Sequence, residues 1–159
     1  MKRKTLFRII ICITICLGVG FLSSIATQTG VNGWYKTIVK PGFTPPNYLF
    51  APVWTVLYIL MGISAGLVWS RGTYHKWVKT ALYHFVFQLL LNALWSLVFF
   101  GLEQPLFALL IIIALFILIF LTIKWFKIVN KTAAYLLIPY LLWVLFATAL
   151  NFEIWRLNS

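Results

Sequence analysis

Acid side chains are almost missing from this sequence: among 159 residues there are two carboxylates, Glu103 and Glu153, beside two histidines and two cysteines. General acid–base catalysis needs placed carboxylates or imidazoles, and neither glutamate has an acidic partner. His75 sits in a basic loop and His84 near the start of an apolar run, where interfacial or packing roles suit them better than ligation. No Ser/His/Asp set, phosphate loop or metal-ligand spacing occurs, so no metal and no cofactor is expected. Ionisable residues are also missing from the middle of every apolar run, where a pump or exchanger would place one. Cys12 and Cys16 stand one helical turn apart inside the first run and are expected as ordinary small buried residues. Conventional hydrolytic and phosphoryl-transfer chemistry is set aside on these grounds.

Charge of either sign is scarce. Only 9% of residues are charged, against about a quarter in soluble domains, while 63% are hydrophobic and mean hydropathy is +0.99. Such a chain belongs in a bilayer. Crossing one takes about 20 apolar residues, and five runs qualify: 6–27, 49–69, 80–101, 105–124 and 133–154. The expected fold is an all-α integral membrane protein, a single domain over 1–159 built as a five-helix transmembrane bundle, with a loop over 28–48. The apolar run from Leu6 to Ala26 exceeds the core of a cleaved signal peptide, so a retained first helix is expected.

The formal charge of +11 is dealt out by loop and does not form a nucleic-acid patch. Lys2, Arg3, Lys4, Arg8, Arg71, Lys76, Lys79, Lys124, Lys127 and Lys131 fall on one side; Lys36, Lys40 and Arg156 fall on the other. The positive-inside rule then puts the N-terminus in the cytoplasm, with anionic lipid as a natural contact of the basic side. This charge-led topology, without an obvious transit peptide, fits a bacterial cytoplasmic membrane.

Aromatic and amide side chains are what the spans do have. The second carries Trp54, Tyr58, Met61, Gly62 and Ala65 on one stripe; the third Gln88, Asn92, Trp95, Ser96 and Phe99; the fifth Trp143, Phe146, Ala147 and Asn151, after a bend expected at Pro139. The fourth, "PLFALLIIIALFILIFLTIK", is apolar on every face and reads as a peripheral, lipid-facing helix. Polar stripes in lipid turn inward. They serve either as interhelical glue or as the wall of a pocket; Trp54, Tyr58, Trp95 and Trp143 favour a pocket for a flat, largely apolar ligand, because bundle cores prefer small residues. Trp69, Trp77, Trp125 and Trp155 stand near span ends, as an interfacial belt would. Gly62 and Gly66 form a GxxxG, read either as packing within the bundle or as a dimer contact.

Between the first two spans lies "WYKTIVKPGFTPP", Trp34 to Pro46. Its prolines favour stiff, extended backbone, and Trp34, Tyr35 and Phe43 give it an apolar underside. Two readings stand: a lid across the bundle mouth, or an interfacial anchor.

From Trp34 to Asn158 the chain resembles the translocator protein family, also called tryptophan-rich sensory proteins or peripheral benzodiazepine receptors. The resemblance is carried, in order, by "WY" with "KPGFTPP", "FAPVWTVLYILMGISAGLVW", "QLLLNALWSLVFFG" and "LLIPYLLWVLFATALN". It implies a five-helix bundle, commonly a homodimer, binding porphyrins such as protoporphyrin IX and synthetic isoquinoline or benzodiazepine ligands beneath the first loop. Carried over by motif, the ligand-binding residues would be Tyr35, Trp54, Tyr58, Asn92, Trp95, Ser96, Trp143, Phe146, Ala147 and Leu150; Tyr35 and Leu150 enter through the resemblance alone. Four roles are weighed: sensing of tetrapyrroles; light- and oxygen-dependent porphyrin breakdown, with Trp54 and Trp143 as the catalytic residues; transport, which nothing in the residues favours; and a purely structural membrane subunit, in which pocket mutations would do nothing. Lys36 or Lys40 at the mouth would pair with propionates. The sterol pattern of animal relatives is broken here, since "LNFEIWR" has Phe152 where a tyrosine should stand, so sterol binding is not expected from it.

Overall fold

The computed structural model describes residues 2–159. Five helical columns cross the molecule. The first is α1 (Arg3–Asn32), followed after Gly33 by the short α2 (Trp34–Thr37). A 3₁₀ turn at Asn47–Leu49 leads into α3 (Phe50–Trp69). Next comes α4 (Lys76–Ser96), extended by a π-helical turn at Leu97–Gly101, and then α5 (Pro105–Val129). The last column is split into α6 (Lys131–Leu136) and α7 (Ile138–Asn158). All five are long and apolar enough to span a membrane. Arg8 donates to the carbonyl of Trp69 (3.3 Å) and Asn158 bonds the backbone of Val39, so the N-terminus lies with the 70–75 loop and the C-terminus with the first loop. The ten basic residues assigned to one side are therefore together, and the protein is an all-helical membrane bundle.

The first helix runs past the expected end at residue 27, and with α2 and the 3₁₀ turn the non-helical connection shrinks from 28–48 to 38–46. Thr27, the last residue of the expected span, and Gly30 beyond it are both buried. The Thr27 hydroxyl donates back to the Ser23 carbonyl (2.8 Å), which satisfies it without water, and Gly30 lies on the backbone of Phe100, where any Cβ would collide. Small and polar residues here face protein. The third span likewise starts at Lys76 and the fourth runs on to Val129, because Lys76, Lys79, Lys124 and Lys127 are exposed and reach water from helical positions.

α5 departs from the expectation of a lipid-facing helix. It buries Ala108, Ile112, Leu115, Ile119 and Phe126 among its neighbours, with Phe126 stacked on Phe85 of α4 at 5.9 Å. Its apolar residues facing protein and facing lipid are chemically alike, so periodicity does not separate them. The more lipid-exposed helix is α1, with 17% of its most apolar stretch buried against 33% for α5.

The GxxxG belongs to the bundle. A Cβ on Gly62 would meet the backbone of Ile13, and one on Gly66 the backbone of Ile9, so the two glycines let α1 lie directly on α3. Ser64 on α3 donates to the Ala133 carbonyl (2.6 Å) and ties in the last column. That column breaks at Leu137, where Leu137 N–H bonds back three residues to Ala134 (3.1 Å). Pro139 then takes a first-turn position in α7, where its missing N–H costs nothing.

Candidate functional site

A cavity of about 260 Å³ opens between α1, α3, α4 and α7, on the side of the C-terminus, with Tyr35 and Asn47 from either side of the first loop in its lining. All ten residues expected at a ligand site line it: Tyr35, Trp54, Tyr58, Asn92, Trp95, Ser96, Trp143, Phe146, Ala147 and Leu150. Each arrives by helical spacing. Trp54 and Tyr58 are one turn apart on α3, Asn92, Trp95 and Ser96 one turn apart on α4, and Trp143, Phe146, Ala147 and Leu150 follow at threes and fours on α7. α2 turns Tyr35 inward to 1% exposure.

The aromatic rings form a continuous wall. Trp54 lies at centroid distances of 5.7 Å from Tyr58, 6.4 Å from Trp95, 6.3 Å from Tyr140 and 6.4 Å from Trp143. Trp95 stacks on Phe99 at 5.6 Å, and Phe50 reaches both Tyr35 (6.4 Å) and Trp143 (6.3 Å). Phe99 and Phe100, both on the π-helical turn that extends α4, also line the cavity.

Polar groups in the wall fall into two sets. The deep set is bonded in a row: Tyr58 donates to Asn92 Oδ1 (3.1 Å), Asn92 Nδ2 to the Tyr140 hydroxyl (2.7 Å), and Tyr140 to Gln88 Oε1 (2.7 Å), with Gln88 Nε2, behind the wall, left without a partner among the described residues. Trp95 Nε1 donates to Asn151 Oδ1 (2.9 Å), whose amide nitrogen donates to the Pro105 carbonyl (2.9 Å). The second set is not satisfied. Tyr35 Oη and Trp143 Nε1 are buried, belong to cavity-lining side chains, and have no hydrogen-bond partner among the described residues. A buried donor without a partner costs about 1–3 kcal/mol, a cost that a ligand acceptor would remove.

Over the cavity runs the 38–46 segment, held from the far end of the chain. Asn158 accepts from Val39 N–H (3.0 Å) and donates to the Val39 carbonyl (2.8 Å), while Phe43 meets Phe146 edge-on at 5.9 Å. Lys40 folds over the Tyr35 ring at 4.9 Å and donates to the Ile38 carbonyl (3.3 Å); Lys36 is exposed.

Residues 12–156 match the TspO/MBR family. The chain belongs to that family. The tryptophan-rich protein TspO of Chlorobaculum tepidum is 44% identical over 98% of this chain and 99% of its own length. The protein of the same name from Archaeoglobus fulgidus is 46% identical over 97% of this chain and 99% of its own. The human translocator protein is 37% identical over 79% of this chain and 75% of its own. With five membrane-spanning helices and prokaryotic TspO relatives along nearly its whole length, the protein is an integral membrane protein, and a bacterial membrane fits it.

The TspO/MBR match begins at residue 12, whereas the motifs read from sequence begin at Trp34. The difference matters for the site. Gly20, Ser23, Ser24, Thr27 and Val31 of α1 form a whole wall of the cavity that motif reading left out. Its signal was available as small residues at intervals of three and four, Gly20, Ser23, Thr27 and Gly30, on one face of the helix. Tyr140 was missed for another reason: it does not line the cavity but backs it through the Asn92 amide and the Trp54 ring, and the hydrogen bond links residues 48 apart.

Proposed function

We propose that the protein binds flat, largely apolar tetrapyrroles, protoporphyrin IX among them, in this cavity and acts as their membrane sensor. The observation that carries the reading is the pair of buried, unpartnered groups, Tyr35 Oη and Trp143 Nε1, set in a wall of aromatic rings. Aromatic faces hold a flat ring system at about 0.5–1.5 kcal/mol per contact beyond burial, and the two free groups would hold a polar edge. The names of relatives, tryptophan-rich sensory protein and translocator protein, fit a small-ligand role in a membrane. A cavity of 260 Å³ is at the lower edge of the range of about 300–1,000 Å³ for ligand sites, so a macrocycle requires the 38–46 segment to move outward as it enters. Lys36 and Lys40 flank that entrance and suit propionates. A homodimer would have to form on a face other than Gly62 and Gly66, which α1 fills.

Titration of the purified protein with protoporphyrin IX in the dark, followed by tryptophan quenching, tests this. Saturable quenching at one porphyrin per chain is expected, lost in the triple variant Trp54→Ala, Asn92→Ala, Trp143→Ala. Quenching that persists in the triple variant would place the porphyrin elsewhere.

A second reading has its own support. Trp54 and Trp143 lie 6.4 Å apart, and Trp54 also touches Trp95. Indoles in ring contact with an excited porphyrin can be oxidised to radicals, so light- and oxygen-dependent breakdown of the bound porphyrin needs no acid–base pair. The double variant Trp54→Phe, Trp143→Phe should keep most of the dark binding and lose protein-dependent bleaching under light. Equal bleaching rates in variant and wild type would remove both tryptophans from the chemistry.

A further inference from the structure

The cavity floor is backed by a chain of hydrogen bonds ending in a side chain that no ligand can touch. Tyr58 and Asn92 line the cavity, whereas Tyr140 and Gln88 lie behind them and are 0% and 1% exposed. A phenol has one proton to give and an amide oxygen has none, so each donation dictates the next. Gln88 Oε1 accepts from Tyr140, which leaves the Tyr140 oxygen to accept from Asn92 Nδ2. The Asn92 amide is thereby held with its nitrogen toward Tyr140 and its oxygen toward Tyr58. Tyr58 spends its only proton on that oxygen. What the floor has left to offer a ligand, on the Tyr58 side, is lone pairs.

The mouth is the opposite. Trp143 Nε1 can only donate, and it is buried without a partner, as is the Tyr35 hydroxyl. Both rings pack on Phe50, and Tyr58 stands eight residues further along α3, about 12 Å deeper.

We propose that Gln88 and Tyr140 are positioning residues that hold the cavity floor as a hydrogen-bond acceptor. The site then selects flat apolar molecules with an N–H at the buried end and a carbonyl or carboxylate at the mouth. The inference rests on the cavity being the ligand site and names the polarity of its ligand. Removing the Gln88 acceptor frees the Tyr140 proton to turn to Asn92 Oδ1. The amide then rotates, its nitrogen donates to Tyr58, and the Tyr58 proton is released toward the cavity. The floor changes from acceptor to donor although no residue touching the ligand has been replaced.

Three tricyclic compounds of one outline test this: carbazole with a bridging N–H, dibenzofuran with a bridging oxygen, and fluorene with a bridging methylene. Their Kd values follow from the dependence of Tm on ligand concentration, with unfolding read by a thiol-reactive dye on Cys12 and Cys16. The wild type should bind carbazole more tightly than dibenzofuran by roughly threefold to tenfold, the range of one net hydrogen bond. Gln88→Leu should invert that order while fluorene affinity stays nearly constant, a pattern that simple loss of packing does not produce. Gln88→Glu keeps a carbonyl acceptor and should restore the wild-type order.

A wild type that binds dibenzofuran as tightly as carbazole overturns the proposal, and this holds even if Gln88→Leu fails to fold. An unchanged ratio in Gln88→Leu overturns it too, as does the absence of binding by all three compounds. If the ratios come out as expected and protoporphyrin does not bind, the tetrapyrrole reading falls while this inference stands. If protoporphyrin binds and the carbazole to dibenzofuran ratio is one, this inference alone falls.

Discussion

Trp54 makes ring contacts with Tyr58, Trp95, Tyr140 and Trp143, which makes it the hub of the cavity wall. Trp77 and Trp125, by contrast, sit near the basic end of the bundle, where Trp77 stacks on His75 at 4.5 Å and Trp125 lies 5.8 Å from His84. One residue type thus stands in two settings: the wall of the inner cavity, and the end of the bundle where a belt at the lipid headgroups is expected. Glycine does equally specific work at single positions. Gly62→Val would drive a side chain into the Ile13 backbone, and such overpacking costs about 1–3 kcal/mol or more. A lower Tm in the thiol-dye assay is the expected outcome. An unchanged Tm with an altered oligomeric state would instead return the GxxxG to a dimer interface.

At the scale of elements, the segment over the cavity depends on a residue near the end of the chain. Prolines 41, 45 and 46 leave the 38–46 stretch with little backbone bonding of its own, and the two bonds from Asn158 to Val39 pin it to α7. Each such bond contributes about 0.5–1.5 kcal/mol net, less where water competes. Asn158→Ala should therefore speed both porphyrin association and release several-fold in stopped-flow quenching, with a much smaller change in Kd. Unchanged rates would mean that the segment does not gate entry. The inward stripes of α3, α4 and α7 were legible because amides and large aromatics in an apolar helix have one sensible direction to face. The inner face of α5 was not, because Ile112 and Leu115 toward protein look the same in sequence as Ile113 and Phe107 toward lipid. The wall from α1 stayed hidden behind small residues, and the latch stayed hidden because Asn158 and Val39 are 119 residues apart.

For the whole molecule, five columns enclose a tryptophan-lined cavity on the side away from most of the positive charge. On the proposed reading, a ligand would enter from that side or from the adjoining leaflet. Tryptophans are distributed through the entire bundle, eight in all, so they report where a ligand sits. If the cavity is the porphyrin site, Trp143, with its free Nε1, and Trp54 meet the porphyrin, whereas Trp69, Trp77 and Trp125 at the basic end do not. The direct measurement is a two-dimensional NMR spectrum of the protein with ¹⁵N-labelled indoles, recorded in the dark with and without protoporphyrin IX and assigned by single Trp→Phe variants. The Trp143 and Trp54 indole signals should shift or broaden at one equivalent, with Trp69, Trp77 and Trp125 unmoved. Changes confined to the basic-end tryptophans, with Trp54 and Trp143 unaffected, would contradict the account.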